Sequence, residues 1–456
     1  MRWLRIPDPL TLLVACVLIA AGLTYVLPAG EYQRREDPRT GRQVVVAGTY
    51  APAESRPVGL FDAMVAIPRG MANAADVVFM ILFGSAAFTV VDRTGALATG
   101  VSWLVARLGH RQLLVIPVIS LLFATGGVVE NMQEEIIALI TILVALTQRL
   151  GFQPIVAVAM SIGAAFVGAA FSPINPFQVV IAQQVADVPR LSGWAFRTVF
   201  LAIALVIWIA ATMRYASRTR VPVIDAGFGS RESGSENVAT PGNLTRHAVI
   251  LAIVGITFVV LVWGLLSQGW DFNHLTALFF VMGVAAGLVG RLGFSGTAKA
   301  FTEGFREMAF AAVVVGVARA IFVVLEDGRI VDTIVRGLFM PIADLPTAFA
   351  GIGMIVAHIG LHLPVPSVSG QAVLTMPIMA PLADLLGMSR QVAVLAYQYG
   401  AGMMDMITPT NGGLMAVLAA AGVRYDEWLR FAGPWMALLT ALGAIAVVIA
   451  LAIGLH

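Results

Sequence analysis

Charge is scarce in this sequence: Asp, Glu, Lys and Arg make up 12% of 456 residues, hydrophobic residues 59%, and the mean hydropathy is +0.88. So little polar surface cannot cover a globule of this length in water, and lipid must be the solvent for most of the chain. Cysteine occurs once, as Cys16 in an apolar run, which excludes an intrachain disulfide framework and a thiolate metal cluster. Lysine also occurs once, at Lys299, outside any GxxxxGK(S/T) phosphate loop, which argues against an ATP-driven pump. The net charge of +2 comes with scattered arginines and no basic stripe, so nucleic acid is not an expected partner.

What the chain has in abundance is apolar runs long enough to cross about 30 Å of hydrocarbon. They lie at 9–27, 75–91, 195–213, 246–266, 275–291, 308–326 and 433–455. The first follows Arg2 and Arg5 as a signal peptide would, but without a convincing small-residue cleavage site, and it reads as a retained span. Two further regions, 112–186 and 348–422, are apolar yet interrupted by Gly, Pro and carboxyl or amide residues too often for plain spans. Non-helical backbone at membrane depth must be buried in protein or face a watery cavity, because each unpaired amide or carbonyl costs several kcal/mol in hydrocarbon. A pair of such breaks at matching places in two halves is the sequence mark of a secondary carrier's binding centre.

The two regions match at a constant offset of 236. Gly151 falls on Gly387, Val156-Ala157-Val158 on Val392-Ala393-Val394, and Ser172-Pro173-Ile174-Asn175 on Thr408-Pro409-Thr410-Asn411. Repeated aliphatics arise easily by chance; a shared Ser/Thr-Pro-x-Asn at fixed distance does not. The pattern predicts an all-α membrane protein with two re-entrant hairpins, 112–150 and 348–386, and two broken helices, 154–186 and 390–421. These divide between a first repeat, 1–213, and a second, 275–456, joined by 214–274. The extra helix 246–266 in that connection reverses the second unit, as an inverted repeat requires. The charged segment 28–74 reads as a translocated loop domain, 217–244 as a flexible cytoplasmic linker, and 95–108 and 329–340 as amphipathic interfacial helices. Arginines at 93, 107, 111, 149, 214, 218, 220, 231 and 246 favour a cytoplasmic amino terminus.

Candidate site residues cluster at the interruptions. Glu130, Asn131, Glu134 and Glu135 break the first hairpin, and carboxylates at membrane depth are functional candidates unless the turn reaches the headgroups. The matching turn of the second hairpin is neutral, with Ser367, Ser369 and Gln371. At the broken helices, Pro173 and Pro409 each free a carbonyl. Ser172, Asn175, Thr408, Thr410 and Asn411 add oxygens and amides beside exposed helix ends, a set suited to dehydrated sodium or a substrate carboxylate. Sodium ions, at Ser172, Asn175, Thr408 and Asn411, are the one bound cofactor this allows. Asp405 has two readings, as a cation or proton ligand or as an ion-pair partner of Arg319. His358 and His362, one helical turn apart and with no acid beside them in sequence, suit packing or gating better than metal binding. Gly293-Phe294-Ser295-Gly296 matches a short serine-protease pattern but falls where a loop is expected.

Several stretches resemble the C4-dicarboxylate anaerobic carrier family, in particular its YfcC-like members. They are Leu27-Pro28-Ala29-Gly30-Glu31-Tyr32, Asn175-Pro176-Phe177, Ser369-Gly370-Gln371-Ala372, Met376-Pro377-Ile378-Met379-Ala380-Pro381, and Gln398-Tyr399-Gly400-Ala401-Gly402 through Gly412. The resemblance implies the ion transporter superfamily: dimeric elevator carriers of the bacterial cell membrane, with a scaffold and a moving domain of hairpins and broken helices. It also implies a sodium- or proton-coupled carrier or exchanger of a small amino-acid or carboxylate solute, not an enzyme. A doubly negative solute would meet Glu130, Glu134, Glu135 and Asp405 with basic residues only in flanking segments, which favours an amino-bearing solute or a carboxylate carried with cations. A passive channel and, remotely, an intramembrane hydrolase are the alternatives.

Overall fold

The computed structural model describes residues 9–37, 42–46, 48–97, 99–100, 103, 112–220, 241–268 and 270–455. Among them, seven helices are long and apolar enough to cross a membrane: Ala75–Arg93, Gln112–Val129, Trp194–Arg218, Leu244–Leu261, Phe272–Val289, Gly293–Asp327 and Tyr425–Ala452. Pro9–Val26 is a further apolar helix. Six of the expected spans therefore stand within this set, and the first is the shorter helix at the start. The seventh member, Gln112–Val129, is the opening arm of the first hairpin.

Two expectations need correction. The segment 28–74 is not all loop: it carries two short antiparallel ladders, Gly30–Glu31 with Ala51–Pro52 and Arg34–Asp37 with Arg42–Val45, followed by the helix Leu60–Asn73. Asp62, Arg69 and the internal Pro68 disguise that helix in a charged stretch, but Arg69 pairs bidentately with Asp327 at the end of a neighbouring helix. The span expected at 308–326 is the last part of the 35-residue helix Gly293–Asp327. Its early turns, from the Gly293–Gly296 stretch expected to be loop, carry Lys299, Glu303 and Arg306, and Glu303 pairs with Arg93 at 2.7 Å. At 1.5 Å per residue this helix is about 50 Å long, well over the hydrocarbon thickness. Ser295 is exposed in its first turn.

The helix Val331–Phe339 stands where an interfacial helix was expected, and the ladder segment docks on it: Asp332 accepts from Tyr32 N at 2.8 Å and from Arg34 Nη2 at 2.9 Å. The other expected interfacial helix, 95–108, and the linker 217–244 fall largely outside the described residues.

The two interrupted regions have the same plan. The first runs Val115–Glu130, a turn at 131–133, Glu134–Arg149, then Pro154–Ala170, a break at 171–175 and a return through Pro176–Val180 and Ile181–Val185. The second runs Thr347–His362, a turn at 363–367, Val368–Leu385, then Arg390–Met404, a break at 405–411 and Gly412–Ala420. Each region is followed by a long helix, Trp194–Arg218 or Tyr425–Ala452. The first hairpin turns because Asn131 adopts the left-handed conformation, φ 60°, that asparagine tolerates better than most residues. Its opening arm crosses the first broken helix backbone to backbone. A Cβ on Gly127 would lie 2.1 Å from Ala165 O, and one on Gly168 would lie 2.2 Å from Ala124 O. Small residues permit this approach where no hydrophobic effect drives helices together.

Candidate solute and ion site

Each break is held open by one asparagine. Asn175 Oδ1 accepts from the amides of Phe177 and Gln178, and Asn411 Oδ1 accepts from Leu414 N, so both cap the half-helix that follows. Asparagine is a preferred cap, and proline two residues earlier prevents the preceding helix from running through. The capping oxygen fixes each amide's orientation, which leaves both Nδ2 groups as donors. Asn175 Nδ2 donates to Gly127 O at 2.7 Å and Ser172 Oγ to Val128 O at 2.8 Å, which stitches the first break to the first hairpin. Thr410 Oγ1 donates to Leu363 O at 2.8 Å and does the same for the second pair.

The second break carries the charge. Asp405, 2% exposed, accepts at Oδ1 from Asn411 Nδ2 at 2.7 Å and from the His362 ring nitrogen Nε2 at 2.9 Å. Gln133, from the first hairpin, reaches across to Asp405 Oδ2 at 3.4 Å through Nε2. Its Oε1 faces Asn411 Nδ2, also at 3.4 Å. Gln371 Nε2 donates to Val365 O at 2.9 Å and meets His362 Nδ1 at 2.9 Å; since Gln371 is the donor, His362 carries its proton on Nε2, toward Asp405. His358 Nδ1 completes the chain at Gln371 Oε1, 3.3 Å away. Asp405 thus has a partner, but not Arg319, whose guanidinium lies over the Phe322 ring at 5.2 Å on its own helix. The histidine pair does have an acid beside it, brought from 43 residues away.

Two cavities meet at this partition. One of about 780 Å³ reaches Asn411, Thr410, Ser367, Ser369 and Gln133 from the side of Arg319. The other, about 460 Å³, reaches Asp405, Glu135, Asn131, Ser367, Ser369 and Gln133 from the side of Trp270 and Asp271. Both cavities are lined by Gln133, Ser367 and Ser369 at the hairpin tips, and the second break presents Asp405 to one and Asn411 to the other. Among the described residues, the second cavity is lined by three carboxylates and no Lys, Arg or His, with Phe177, Trp270 and Phe272 contributing aromatic wall. The hydrogen bonds from His274, first from its ring and then from its amide, hold the Asp271 carboxyl down at about 2, so it stays charged at physiological pH.

The expected site residues divide accordingly. Asp405, Asn411, Gln371 and Thr410 come together at the second break, with Glu135, Ser367 and Ser369 on the cavity walls; Ser172 and Asn175 build the first break. Thr408 is buried at the second break, and its Oγ1 has no hydrogen-bond partner. The side chains of Glu130 and Glu134 lie outside the described ones. Among the four residues proposed to bind sodium, Ser172, Asn175 and Asn411 already accept from backbone amides. Sequence reasoning did not single out Gln133 and missed the joining of His362 to Asp405. A signal for Gln133 was present, since the offset of 236 places it on Ser369, a residue that was singled out. It also missed Arg197, fully buried, whose Nε donates to Gln398 Oε1 at 2.8 Å while Gln398 Nε2 holds Ser172 O at 2.8 Å.

Known proteins resemble this chain over its whole length. A protein of Escherichia coli K12 described as a putative basic amino acid antiporter, YfcC, is 32% identical over 100% of this chain and 98% of its own. An uncharacterized protein of Haemophilus influenzae Rd is 30% identical over 97% of this chain and 96% of its own. Among solved structures, the YdaH transporter of Alcanivorax borkumensis aligns with a TM-score of 0.45 at 17% identity, covering 98% of this chain and 99% of that one. The family model for the C4-dicarboxylate anaerobic carriers matches residues 6–452, and the chain is a multi-pass membrane transport protein belonging to that family.

Proposed function

We propose that the protein is a secondary active carrier of a small cationic amino acid in the bacterial cell membrane. The observation that carries this is the cavity of about 460 Å³ beside the second break, with Glu135, Asp271 and Asp405 on its wall and, among the described residues, no Lys or Arg lining it, the histidines that bond Asp405 and Asp271 standing outside the lining. A dicarboxylate entering there would meet like charge, whereas an ammonium or guanidinium group finds carboxylates and aromatic faces, both of which attract cations. The description of the Escherichia coli relative as a basic amino acid antiporter points the same way. Alternating access would follow from the hairpins and broken helices moving as one body against a scaffold of the long helices, in a homodimer. A second reading has one observation in its favour: Arg319 faces the larger cavity without a carboxylate partner among the described residues, so a dicarboxylate could be held on that side.

Counterflow in proteoliposomes separates the readings. Vesicles loaded with unlabelled arginine are expected to accumulate labelled arginine transiently above equilibrium, and Glu135→Gln to lose that overshoot. A channel would give equilibration with no overshoot, and overshoot with succinate in place of arginine would move the assignment to dicarboxylates.

A further inference from the structure

The donor set around Asp405 specifies more than a place for a cation. Three side chains aim N–H groups at its two oxygens: His362 and Asn411 at Oδ1, Gln133 at Oδ2. The orientations are fixed elsewhere, by Leu414 N on Asn411 Oδ1 and by Val365 O on Gln371 Nε2, which in turn sets the His362 tautomer. Sodium needs several oxygens converging on one point; here the nitrogens of three donors occupy that shell. The Oδ1 face is closed by two bonds of 2.7 and 2.9 Å. The Oδ2 face has the single long bond to Gln133, at 3.4 Å, beyond the usual hydrogen-bond range, and so is the one that yields first.

From this, and resting on the carrier reading above, we propose that Asp405 Oδ2 is one site used in turn by a proton and by the solute's cationic group. Gln133 closes it when neither is bound, and the exchange of the two makes the protein a proton/cation antiporter. A proton from the cavity forms an O–H bond at Oδ2 and removes one negative charge from the centre, with no other covalent change. The hydroxyl oxygen accepts more weakly than the carboxylate did, so the 3.4 Å bond from Gln133 Nε2 loosens, and turning Oε1 toward the hydroxyl instead brings Nε2 against Asn411 Nδ2, a donor against a donor. Either way a link of Gln133 is weakened, and the tip of the first hairpin lets go of the second break. A solute ammonium at Oδ2 displaces Gln133 in the same way, so proton and solute compete and each releases the same latch.

Several charged and titratable groups line the cavities that reach this centre. Glu135 sits on the same wall and accepts from Gln133 N at 3.2 Å. His362 and His358 stand behind it from the second hairpin, Asp271 lies across the smaller cavity, and the larger one is lined by Arg319 together with Glu31, Arg34, Asp76, Glu326, Arg329 and Asp332. Of these only Glu135 touches Gln133 as Asp405 does, so the test must tell the two carboxylates apart.

Binding of labelled arginine to the purified full-length protein is measured across pH, with sodium chloride or choline chloride at equal ionic strength. Competition at one oxygen predicts that affinity weakens by up to about tenfold per pH unit on the acid side, identically in both salts. Affinity that is flat with pH, or weakened by sodium, overturns the proposal while leaving the carrier reading intact. Infrared difference spectra on acidification supply an arm that needs no solute. A protonated-carboxyl band is expected in the wild type, absent in Asp405→Asn and shifted in Asp405→Glu. A band that persists unchanged in Asp405→Asn, or that is lost in Glu135→Gln instead, overturns the assignment even if arginine fails to bind and the carrier reading falls with it.

Discussion

Replacing Asn411 by alanine is expected to reduce solute uptake by at least tenfold while the protein still reaches the membrane. The side chain has two jobs at one point. Its Oδ1 caps the half-helix Gly412–Ala420 through Leu414 N, and its Nδ2 supplies the shortest bond to the buried Asp405 carboxylate. Losing a cap costs about 1 kcal/mol, and removing a donor from a buried charged acceptor costs about 1.5–3 kcal/mol. At about 1.4 kcal/mol per factor of ten, the combined loss exceeds one order of magnitude in occupancy of the competent state. Asn411→Asp sharpens the comparison, since it keeps the capping oxygen, removes the donor and sets a second carboxylate against the first. It is expected to transport less than the alanine variant. Equal uptake by wild type and Asn411→Ala would separate the second break from the solute site altogether.

Gly168→Val is expected to do more damage, acting on assembly as well as transport. A Cβ at 168 would sit 2.2 Å from the carbonyl oxygen of Ala124, and the reciprocal contact at Gly127 is as close to Ala165 O. Both obstacles are backbone, so no side chain can rotate away and the helices themselves must separate. Overpacking of this kind costs about 1–3 kcal/mol or more even where side chains can adjust. Separation also withdraws Gly127 O and Val128 O from Asn175 and Ser172, unpicking the first break from its hairpin. Loss of monodisperse protein on size exclusion, with no detectable uptake, is the anticipated outcome. Gly433→Ala is the control, because nothing lies within 4 Å of a Cβ at that helical position; it is expected to behave as wild type.

The breaks were legible in the sequence because their causes are local. Proline removes a helical hydrogen bond and weakens the turn before it, and asparagine two residues later can cap a new helix, so the two together mark a break where proline alone, as at Pro377 and Pro381, does not. The same two signals at a fixed offset marked both broken helices, with Asn175 and Asn411 in matching roles. What stayed hidden depends on distant partners. His362 lies 43 residues from Asp405 and Gln133 lies 272 from it, and no periodicity links them. Arg319 was a plausible mate for Asp405 on charge alone, yet the fold turns it onto Phe322. The helix Leu60–Asn73 reads in sequence as part of a charged loop domain and Gly293–Gly296 as loop, and the apolar run at 308–326 gives no sign that its helix begins at Gly293; the pairs Arg69 with Asp327 and Glu303 with Arg93 join residues far apart in sequence.

The hairpin tips should face both compartments by turns, and a thiol placed there reports this directly. In a Cys16→Ala background, Ser369→Cys stands on the wall shared by the two cavities. A membrane-impermeant maleimide applied to right-side-out and to inside-out vesicles should label position 369 from either face, with arginine shifting the proportion. Labelling from one face only, in every solute and at every pH, would contradict alternating access at this site.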